Sequence, residues 1–316
     1  FILYLFLSFC LIAKAAAQLN LTNWEIKSVT EVNEAADKVS LSSFQPVNWY
    51  EATVPTTVLN ALVKQNVYPD PRIGMNNFLI PDVSDDFNNK MDLAKYSYLR
   101  NEKNPWQEPY WYRTTFKLPK QYKNKIIWLN LNGINYRADV WINGHKVGDK
   151  ENIVGMFRRF RFDVTQYIQS GENCVAIKIY QVDHPGIPSP GTQFIVFGPN
   201  RGTASDLFKD ETLKFTGGWD CAPVVRDRNM GIYQSVTLEA TDQVTIEDPY
   251  IITTLPQKDT TVANITIQAT LHNHSDKKIY GRLKATIHLI NELVFPSYTR
   301  KLTGSMKPIN ITPVSY

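Results

Sequence analysis

The chain has 316 residues, which is enough for one large domain or two medium domains with cores of their own. Aromatic residues make up 12% of it and charged residues 20%, a composition typical of a globular chain and not of a disordered one. The net charge of +4 is spread without any run of Lys or Arg, and this argues against nucleic acid as the main partner.

The first segment of the chain has the pattern of a signal peptide. It is apolar up to Ile12 and then turns to small residues, and the apolar stretch is too short to span a bilayer. Ala15 and Ala17 give the small-x-small pattern of a signal-peptidase site, so we expect residues 1–17 to be removed. The chain begins at Phe1 without a basic segment, and we therefore expect the sequence to be incomplete at its start. The pattern predicts export to the cell exterior, the periplasm or a lysosome-like compartment, with no membrane span.

Removal of that segment leaves two cysteines, Cys174 and Cys221. An exported protein can join two thiols in one disulfide, but the spacing leaves both the paired and the free state open. No CxxC or HxxxH spacing occurs, so the sequence predicts no metal site. Four Asn-x-Ser/Thr sequons are glycan acceptors if the source has a eukaryotic secretory route. They are Asn20, Asn264, Asn273 and Asn310.

Most of the next stretch of the chain alternates apolar and polar residues as β-strands do. The exception is 56–66, whose apolar residues recur at helical spacing behind a capping Thr56 or Thr57. Residues 138–148 predict a hairpin, because Asn143-Gly144 tolerates the positive φ angles of a type I′ turn. Further strands are predicted at 110–119, 125–134, 157–165 and 173–182. Short strands, turn residues and one helix predict an all-β antiparallel sandwich of jelly-roll type.

The pattern of the sequence changes near Asp242. Beyond that point apolar and polar residues alternate in three stretches, at the spacing of a second, smaller sandwich. They are residues 248–256, 263–275 and 281–290. The predicted division is therefore a signal peptide over 1–17, a first sandwich over 18–241 and a second one over 242–316.

One passage, residues 217–233, fits neither a strand nor a helix. It reads GGWDCAPVVRDRNMGIY, with two glycines, an indole beside an acid, and a proline. Irregular loops of this kind often carry function. The sequence has no GxSxG elbow, no glycine-rich phosphate loop and no HExxH motif, and we identify no catalytic residue and no cofactor site in it.

Several stretches occur together in the order in which one enzyme family has them. They are WYEATVPTTVLNALVKQNVYPDPRIGMNNFLIPD (49–82), GINYRADVWINGHKVG (133–148), GMFRRFRFDVT (155–165) and the 217–233 passage. Over roughly residues 40 to 300 the chain resembles the N-terminal part of glycoside hydrolase family 2, in the branch of exo-β-D-glucosaminidases and mannosylglycoprotein endo-β-mannosidases. The resemblance implies a jelly-roll, galactose-binding-like domain over 18–241 and a truncated immunoglobulin-like sandwich over 242–316. It also implies a downstream (β/α)8 barrel with both catalytic glutamates, which these residues do not contain.

The same resemblance implies three substrate-binding residues. In the family a Trp-Asp-Trp-x-Pro loop reaches the sugar pocket, so Asp220 is expected to accept hydrogen bonds from sugar hydroxyls beside the apolar platform of Trp219. Cys221 stands where the family has the second Trp. Asn76 is also expected near the pocket, where its amide suits vicinal hydroxyls. The alternative roles are local ones: a packed indole, a capping carboxylate and a turn-forming Asn.

The expected function is that of the N-terminal sugar-binding and accessory part of an exported, retaining, exo-acting β-glycosidase. Its type would be β-glucosaminidase or β-mannosidase, and its substrate a β-linked oligosaccharide. Two alternatives stay open, a stand-alone carbohydrate-binding module and a structural β-sandwich such as an adhesion protein. A catalytic barrel encoded downstream favours the enzyme, whereas an adhesion protein needs neither Asp220 nor Asn76 facing one cavity.

Overall fold

The computed structural model describes residues 18–83, 104–185, 210, 212, 225–255, 263–281 and 283. The predicted signal peptide lies outside these ranges. No helix within them is both long and apolar enough to cross a membrane. The chain forms two compact units, residues 1–274 and 275–316, and the strands and helices described below all lie in the first.

The described residues form fourteen β-strands and two short α-helices. The strands are β1 (Gln18–Asn20), β2 (Asn23–Ser28), β3 (Tyr50–Thr53), β4 (Thr56–Thr57), β5 (Tyr110–Lys117), β6 (Ile126–Leu131), β7 (Arg137–Ile142), β8 (His145–Gly148), β9 (Phe160–Asp163), β10 (Glu172–Tyr180), β11 (Gly231–Ile232), β12 (Val236–Thr241), β13 (Val244–Thr254) and β14 (Asn264–Asn273). The helices are α1 (Ala36–Val39) and α2 (Val58–Lys64). Strands dominate, and the predicted all-β fold class is confirmed.

Two antiparallel sheets make a β-sandwich. One has the strand order β1-β12-β6-β9, and the other has the order β3-β2-β5-β10-β7-β8. A single apolar core joins them, to which the first sheet contributes Leu129 and Leu238 and the second contributes Ile177, all fully buried. In β6, buried residues alternate with partly exposed ones, as expected for a strand with one face on the sandwich core. This is the antiparallel sandwich that the alternating segments predict.

The two local predictions with the clearest signals are confirmed. Helix α2 begins at Val58, and the Thr57 hydroxyl accepts a hydrogen bond from the Asn60 amide at 3.2 Å, which makes Thr57 the N-cap. The hairpin between β7 and β8 turns at Asn143 and Gly144, whose φ angles are 48° and 86°. Both angles lie in the left-handed region, as a type I′ turn requires.

The sequence does not predict α1. This helix is one turn long, too short for helical periodicity to show, and its Val39 packs on the outer face of the larger sheet beside Trp111. Arg113 of β5 holds the same segment by donating hydrogen bonds to the backbone carbonyls of Val39 at 3.1 Å and Leu41 at 3.0 Å. Tertiary contacts, and not local propensity, therefore stabilise this turn.

Strands β13 and β14 form a separate two-stranded sheet that is exposed along most of its length. The cross-strand pairs Ile246–Leu271 and Ile251–Ile267 lie on one face, and these four side chains are 42% to 64% exposed. An isolated hairpin with a solvent-exposed apolar face is only marginally stable, and a second sandwich would bury this face. The predicted domain 242–316 lies largely outside the described residues, and its boundary stays a prediction.

The structure shows the state of one of the two cysteines. Cys174 in β10 is a free thiol with no exposed surface, and burial raises its pKa to about 12. Cys221 lies outside the described residues. A thiol with so high a pKa stays protonated at neutral pH, so Cys174 acts as a small core residue and not as a reactive group.

Candidate functional site

Asn76 begins a 3-10 turn, Asn76–Leu79, and its side chain is partly committed to the local fold. Its Nδ2 donates a hydrogen bond to the Asp70 carbonyl at 3.0 Å, and the residue is half-buried. The Arg72 guanidinium, hydrogen bonded to the same Asp70, lowers the pKa of that carboxyl to about 2. Among the described residues the Oδ1 of Asn76 has no hydrogen-bond donor, so this oxygen is the part of the amide that a ligand can use.

The other two predicted residues, Trp219 and Asp220, lie outside the described residues. The described chain resumes at Val225, five positions after Asp220. Arg226 there donates a hydrogen bond from Nε to the carbonyl of Asn77 at 2.8 Å. The residue next to Asn76 is therefore joined directly to the segment that follows Asp220. The predicted binding roles of all three residues stay predictions.

Three buried charges lie at the point where these segments meet. The Asp82 carboxylate accepts hydrogen bonds from both terminal nitrogens of Arg228, each at 3.0 Å, and lies 3.5 Å from Nη1 of Arg226. None of the three side chains is more than 1% exposed. Bidentate pairing of this kind fixes the relative orientation of the two groups as well as neutralising charge. We call Asp82, Arg226 and Arg228 the ion cluster.

A second buried acid, Asp227, caps helix α2 from a distant part of the chain. Its carboxylate accepts hydrogen bonds from the backbone amides of Leu59 and Asn229, both at 3.0 Å. Burial raises its pKa from the ordinary 3.8 to about 6, against the opposing effects of those two amides and of the Arg228 charge. Asp227 therefore links the start of α2 to the segment that holds the ion cluster.

The raised pKa of Asp227 gives the stability of the fold a definite pH dependence. Because the folded state favours the protonated carboxyl, this contribution is fully present below the ordinary pKa of 3.8 and is lost as the pH rises through about 6. A difference of this size corresponds to about 3 kcal/mol. We expect the difference in Tm, wild type minus Asp227→Asn, to decrease as the pH rises from 4 to 7. Thermal melts of both proteins at each pH measure this difference. A difference that is constant or grows with pH would contradict this.

A polar cavity of about 470 Å³ opens beside the ion cluster. Its described lining includes Val83, Gln181, Lys150 and Tyr180. The Tyr180 hydroxyl donates a hydrogen bond to Asp139 at 2.6 Å, and the Lys150 ammonium lies 5.1 Å from the Tyr180 ring centroid. The volume falls in the range of small-molecule pockets, and amide, phenol and ammonium groups can hydrogen bond to hydroxyls. Asn76 is not among the described residues that line it.

The described part of the chain offers no group of three or more His, Cys, Asp or Glu side chains placed to hold a metal ion. It does contain polar residues that the sequence analysis missed, above all the ion cluster. The available signal was the Arg226-Asp227-Arg228 run, three adjacent charges that directly follow the apolar pair Val224 and Val225. Nothing local, however, indicates that Asp82 is the acid that pairs with it.

Comparisons with known proteins agree with the fold. A family model described as "Glycosyl hydrolase 2 galactose-binding domain-like" matches residues 83–234. A mannosylglycoprotein endo-beta-mannosidase of Lilium longiflorum is 34% identical over 206 residues, which are 65% of this chain and 19% of that protein. An exo-beta-D-glucosaminidase of Streptomyces avermitilis is 26% identical over 268 residues, 84% of this chain and 24% of that protein. The chain thus spans about a fifth to a quarter of the length of these relatives.

Two solved structures share the fold. The exo-chitosanase of Amycolatopsis orientalis superposes with a TM-score of 0.57 at 22% identity, over 82% of this chain and 25% of that one. A beta-D-mannosidase from Dictyoglomus thermophilum gives a TM-score of 0.52 at 20% identity, over 81% of this chain and 26% of that one. The sandwich, the family match and the relatives agree with the resemblance seen in the sequence. Residues 83–234 of this chain match the galactose-binding domain-like family of glycosyl hydrolase 2, and the chain is similar in sequence to the two named glycosidases.

Proposed function

We propose that the chain is the N-terminal sugar-binding and accessory portion of an exported, retaining β-glycosidase that acts on the end of a β-linked glycan. The type we propose is β-glucosaminidase or β-mannosidase. The observation that carries this proposal is the match of residues 83–234 to the galactose-binding domain-like family of glycosyl hydrolase 2. The names of the relatives support the two proposed types, because one is a mannosylglycoprotein endo-beta-mannosidase and the other an exo-beta-D-glucosaminidase. Only the second name agrees with action on the end of a glycan.

The chemistry of hydrolysis belongs, in this proposal, to another part of the same polypeptide. Retaining hydrolysis needs two carboxyl groups about 5 Å apart on either side of the scissile bond. The three buried acids of the described chain have other tasks. Asp82 pairs with Arg228, and Asp227 accepts hydrogen bonds from two backbone amides. Asp139 accepts a hydrogen bond from Tyr180 and pairs with Lys146. We therefore assign the catalytic pair to a (β/α)8 barrel downstream, and to this chain the binding and orientation of the sugar.

Sugar binding is proposed for Asn76, Trp219 and Asp220. A carboxylate and an amide oxygen accept hydrogen bonds from vicinal hydroxyls, while an indole packs against a sugar ring. The hydrogen bond from Arg226 to the Asn77 carbonyl supports this grouping, because it joins the neighbour of Asn76 to the segment that follows Asp220. The proposed location is the cell exterior, the periplasm or a lysosome-like compartment, and it rests on the signal-peptide pattern of residues 1–17.

The test compares the product of the complete coding sequence with the 316-residue chain. Both are assayed on nitrophenyl β-D-glucosaminide and nitrophenyl β-D-mannoside, next to a mock purification. We expect turnover by the complete protein and none by the 316-residue chain, because the proposal assigns the catalytic pair of carboxyls to the downstream barrel. Export is checked on the same complete protein by N-terminal sequencing, with Gln18 as the expected first residue.

Each other outcome has a definite meaning. Turnover by the 316-residue chain above the mock level contradicts the assignment of catalysis to a barrel. A complete protein that binds β-linked oligosaccharides without cleaving them is a carbohydrate-binding module. A complete protein that neither binds nor cleaves them is the structural β-sandwich of the third hypothesis.

A further inference from the structure

The loop that carries Asn76 has no apolar anchor of its own. The structure describes all of residues 70–76, and none of them is buried. Its two large apolar side chains, Ile73 and Met75, are 62% and 63% exposed. Because the hydrophobic effect acts only on surface that is removed from water, it contributes little to the shape of this loop. Hydrogen bonds have to hold the loop instead.

Asp70 is the residue on which these hydrogen bonds converge. Its backbone carbonyl accepts hydrogen bonds from the amide of Ile73 at 3.2 Å and from Nδ2 of Asn76 at 3.0 Å. Its carboxylate accepts one from the amide of Arg72 at 3.0 Å, which closes an Asx turn. Turns of this kind favour aspartate at the first position and proline at the second, where the chain has Pro71. The side chain of Asp70 therefore encodes the turn from which the loop starts.

The carbonyl and the carboxylate of Asp70 have different parts in this arrangement. Any residue at position 70 would supply the carbonyl. Aspartate adds the hydrogen bond from the Arg72 amide to its side chain, and this bond holds the turn that aims the carbonyl. The Arg72 guanidinium also pairs with the carboxylate, but its side chain is 86% exposed, and such surface pairs contribute little. An asparagine at position 70 would keep the side-chain acceptor, whereas an alanine would lose it.

The hydrogen bond to Asp70 decides what the Asn76 amide can offer a ligand. A carbonyl only accepts hydrogen bonds, so the group of Asn76 that meets it must be the NH2 group. Oδ1 then lies on the other side of the amide, and an amide oxygen only accepts. The group of a sugar that binds to it must therefore be a donor, either a hydroxyl or an ammonium group.

We propose that Asp70 is a positioning residue that acts on sugar binding through Asn76. Its side chain holds the turn, the turn aims the Asp70 carbonyl, and the carbonyl holds the Asn76 amide with Oδ1 left for a hydroxyl or ammonium group of the sugar. This inference rests on the function proposed above, which gives Asn76 its binding role. Asp70 acts through Asn76 and not by contact with the sugar.

The first arm of the test measures hydrogen–deuterium exchange of the 316-residue chain at sub-second labelling times. The readout is a peptide over residues 70–77, corrected for the intrinsic exchange rate of each sequence. Asp70→Ala should raise its exchange rate at least about fivefold, because the Arg72 amide loses its acceptor and the turn opens. Asp70→Asn should stay within about twofold of the wild type, because it keeps that acceptor.

The matched control is Asp163→Ala, which removes the same kind of hydrogen bond from another turn. Asp163 is exposed, and its carboxylate accepts a hydrogen bond from the amide of Thr165, two residues further on, at 3.0 Å. Asp163→Ala should leave the exchange of the 70–77 peptide unchanged.

The second arm measures kcat and KM of the complete protein on the nitrophenyl glycoside that the wild type cleaves best. Asn76→Ala should lower kcat/KM about tenfold and Asp70→Ala about threefold to fivefold, whereas Asp70→Asn and Asp163→Ala should stay within about twofold of the wild type. The double variant Asp70→Ala/Asn76→Ala should equal Asn76→Ala, because Asp70 acts only through Asn76. A merely structural role of Asp70 would instead add its own loss to that of Asn76→Ala.

Three results would overturn the proposal. Exchange over 70–77 that is the same in Asp70→Ala as in the wild type would show that the side chain does not set the turn. Losses that multiply in the double variant would show that Asp70 acts apart from Asn76. Wild-type kcat/KM in Asn76→Ala would remove the binding group that Asp70 positions. A complete protein that cleaves neither glycoside refutes the proposed function instead, and the exchange arm then decides whether Asp70 sets the turn.

Discussion

Gly231→Ala is expected to lower the free energy of unfolding by about 3–5 kcal/mol, and Tm by about 10 °C. Gly231 has a φ of 144°, which side-chain-bearing residues rarely adopt. A Cβ there would lie 2.6 Å from the Tyr112 hydroxyl oxygen and 2.7 Å from the Thr57 Cα. Neither atom can move away easily, since Thr57 is paired with Gly231 between β4 and β11 and Tyr112 has no exposed surface.

The matched control is Gly171→Ala. Gly171 is exposed, and a Cβ built on it meets no atom within 4 Å. Its replacement should change the free energy of unfolding by about 0.5 kcal/mol or less. Urea unfolding of the wild type and both variants provides the comparison. If Gly231→Ala is as stable as Gly171→Ala, the backbone at β4 and β11 is not as tightly packed as the structure shows.

The parts of the fold that could be predicted are those whose signal is local. Alternation with period two marks β6, because every second residue of this strand is buried and a shift by one residue would expose that set. The Thr57 cap and the apolar stripe of α2 are likewise encoded within one short stretch, as is the turn at Asn143 and Gly144. None of these patterns depends on a residue that is distant in the sequence.

The features that escaped prediction depend on contacts between distant residues. Asp82 and Arg228 are separated by 146 positions, and no spacing rule connects a lone acid to an arginine so far along the chain. The requirement for glycine at 231 is set by Tyr112, and the short helix α1 is held by Arg113. The predicted binding residues came from resemblance to a family and not from local pattern, and of the three the structure describes only Asn76.

The largest functional effect is expected at Asp220. In the complete protein, Asp220→Ala and Asp220→Asn should lower kcat/KM by about tenfold to a few hundredfold. A carboxylate can accept two hydrogen bonds from sugar hydroxyls, each charge-assisted and worth about 1.5–3 kcal/mol, and such contacts lower the barrier if they strengthen in the transition state. The segment that starts five positions after Asp220 is held by the hydrogen bond from Arg226 to the Asn77 carbonyl and by the pairing of Arg228 with Asp82.

The measurement for Asp220 pairs kinetics with stability. Both variants and the wild type are assayed on the best glycoside substrate, and thermal melts are run in parallel. Asp242→Asn, a replacement at an exposed carboxyl that pairs with Lys125, serves as the control and should leave kcat/KM unchanged. If both Asp220 variants keep the wild-type kcat/KM, Asp220 does not bind the substrate and only forms a turn. A loss of activity that only follows a loss of Tm would mean that the loop is structural, and the binding role proposed for Asp220 would be wrong.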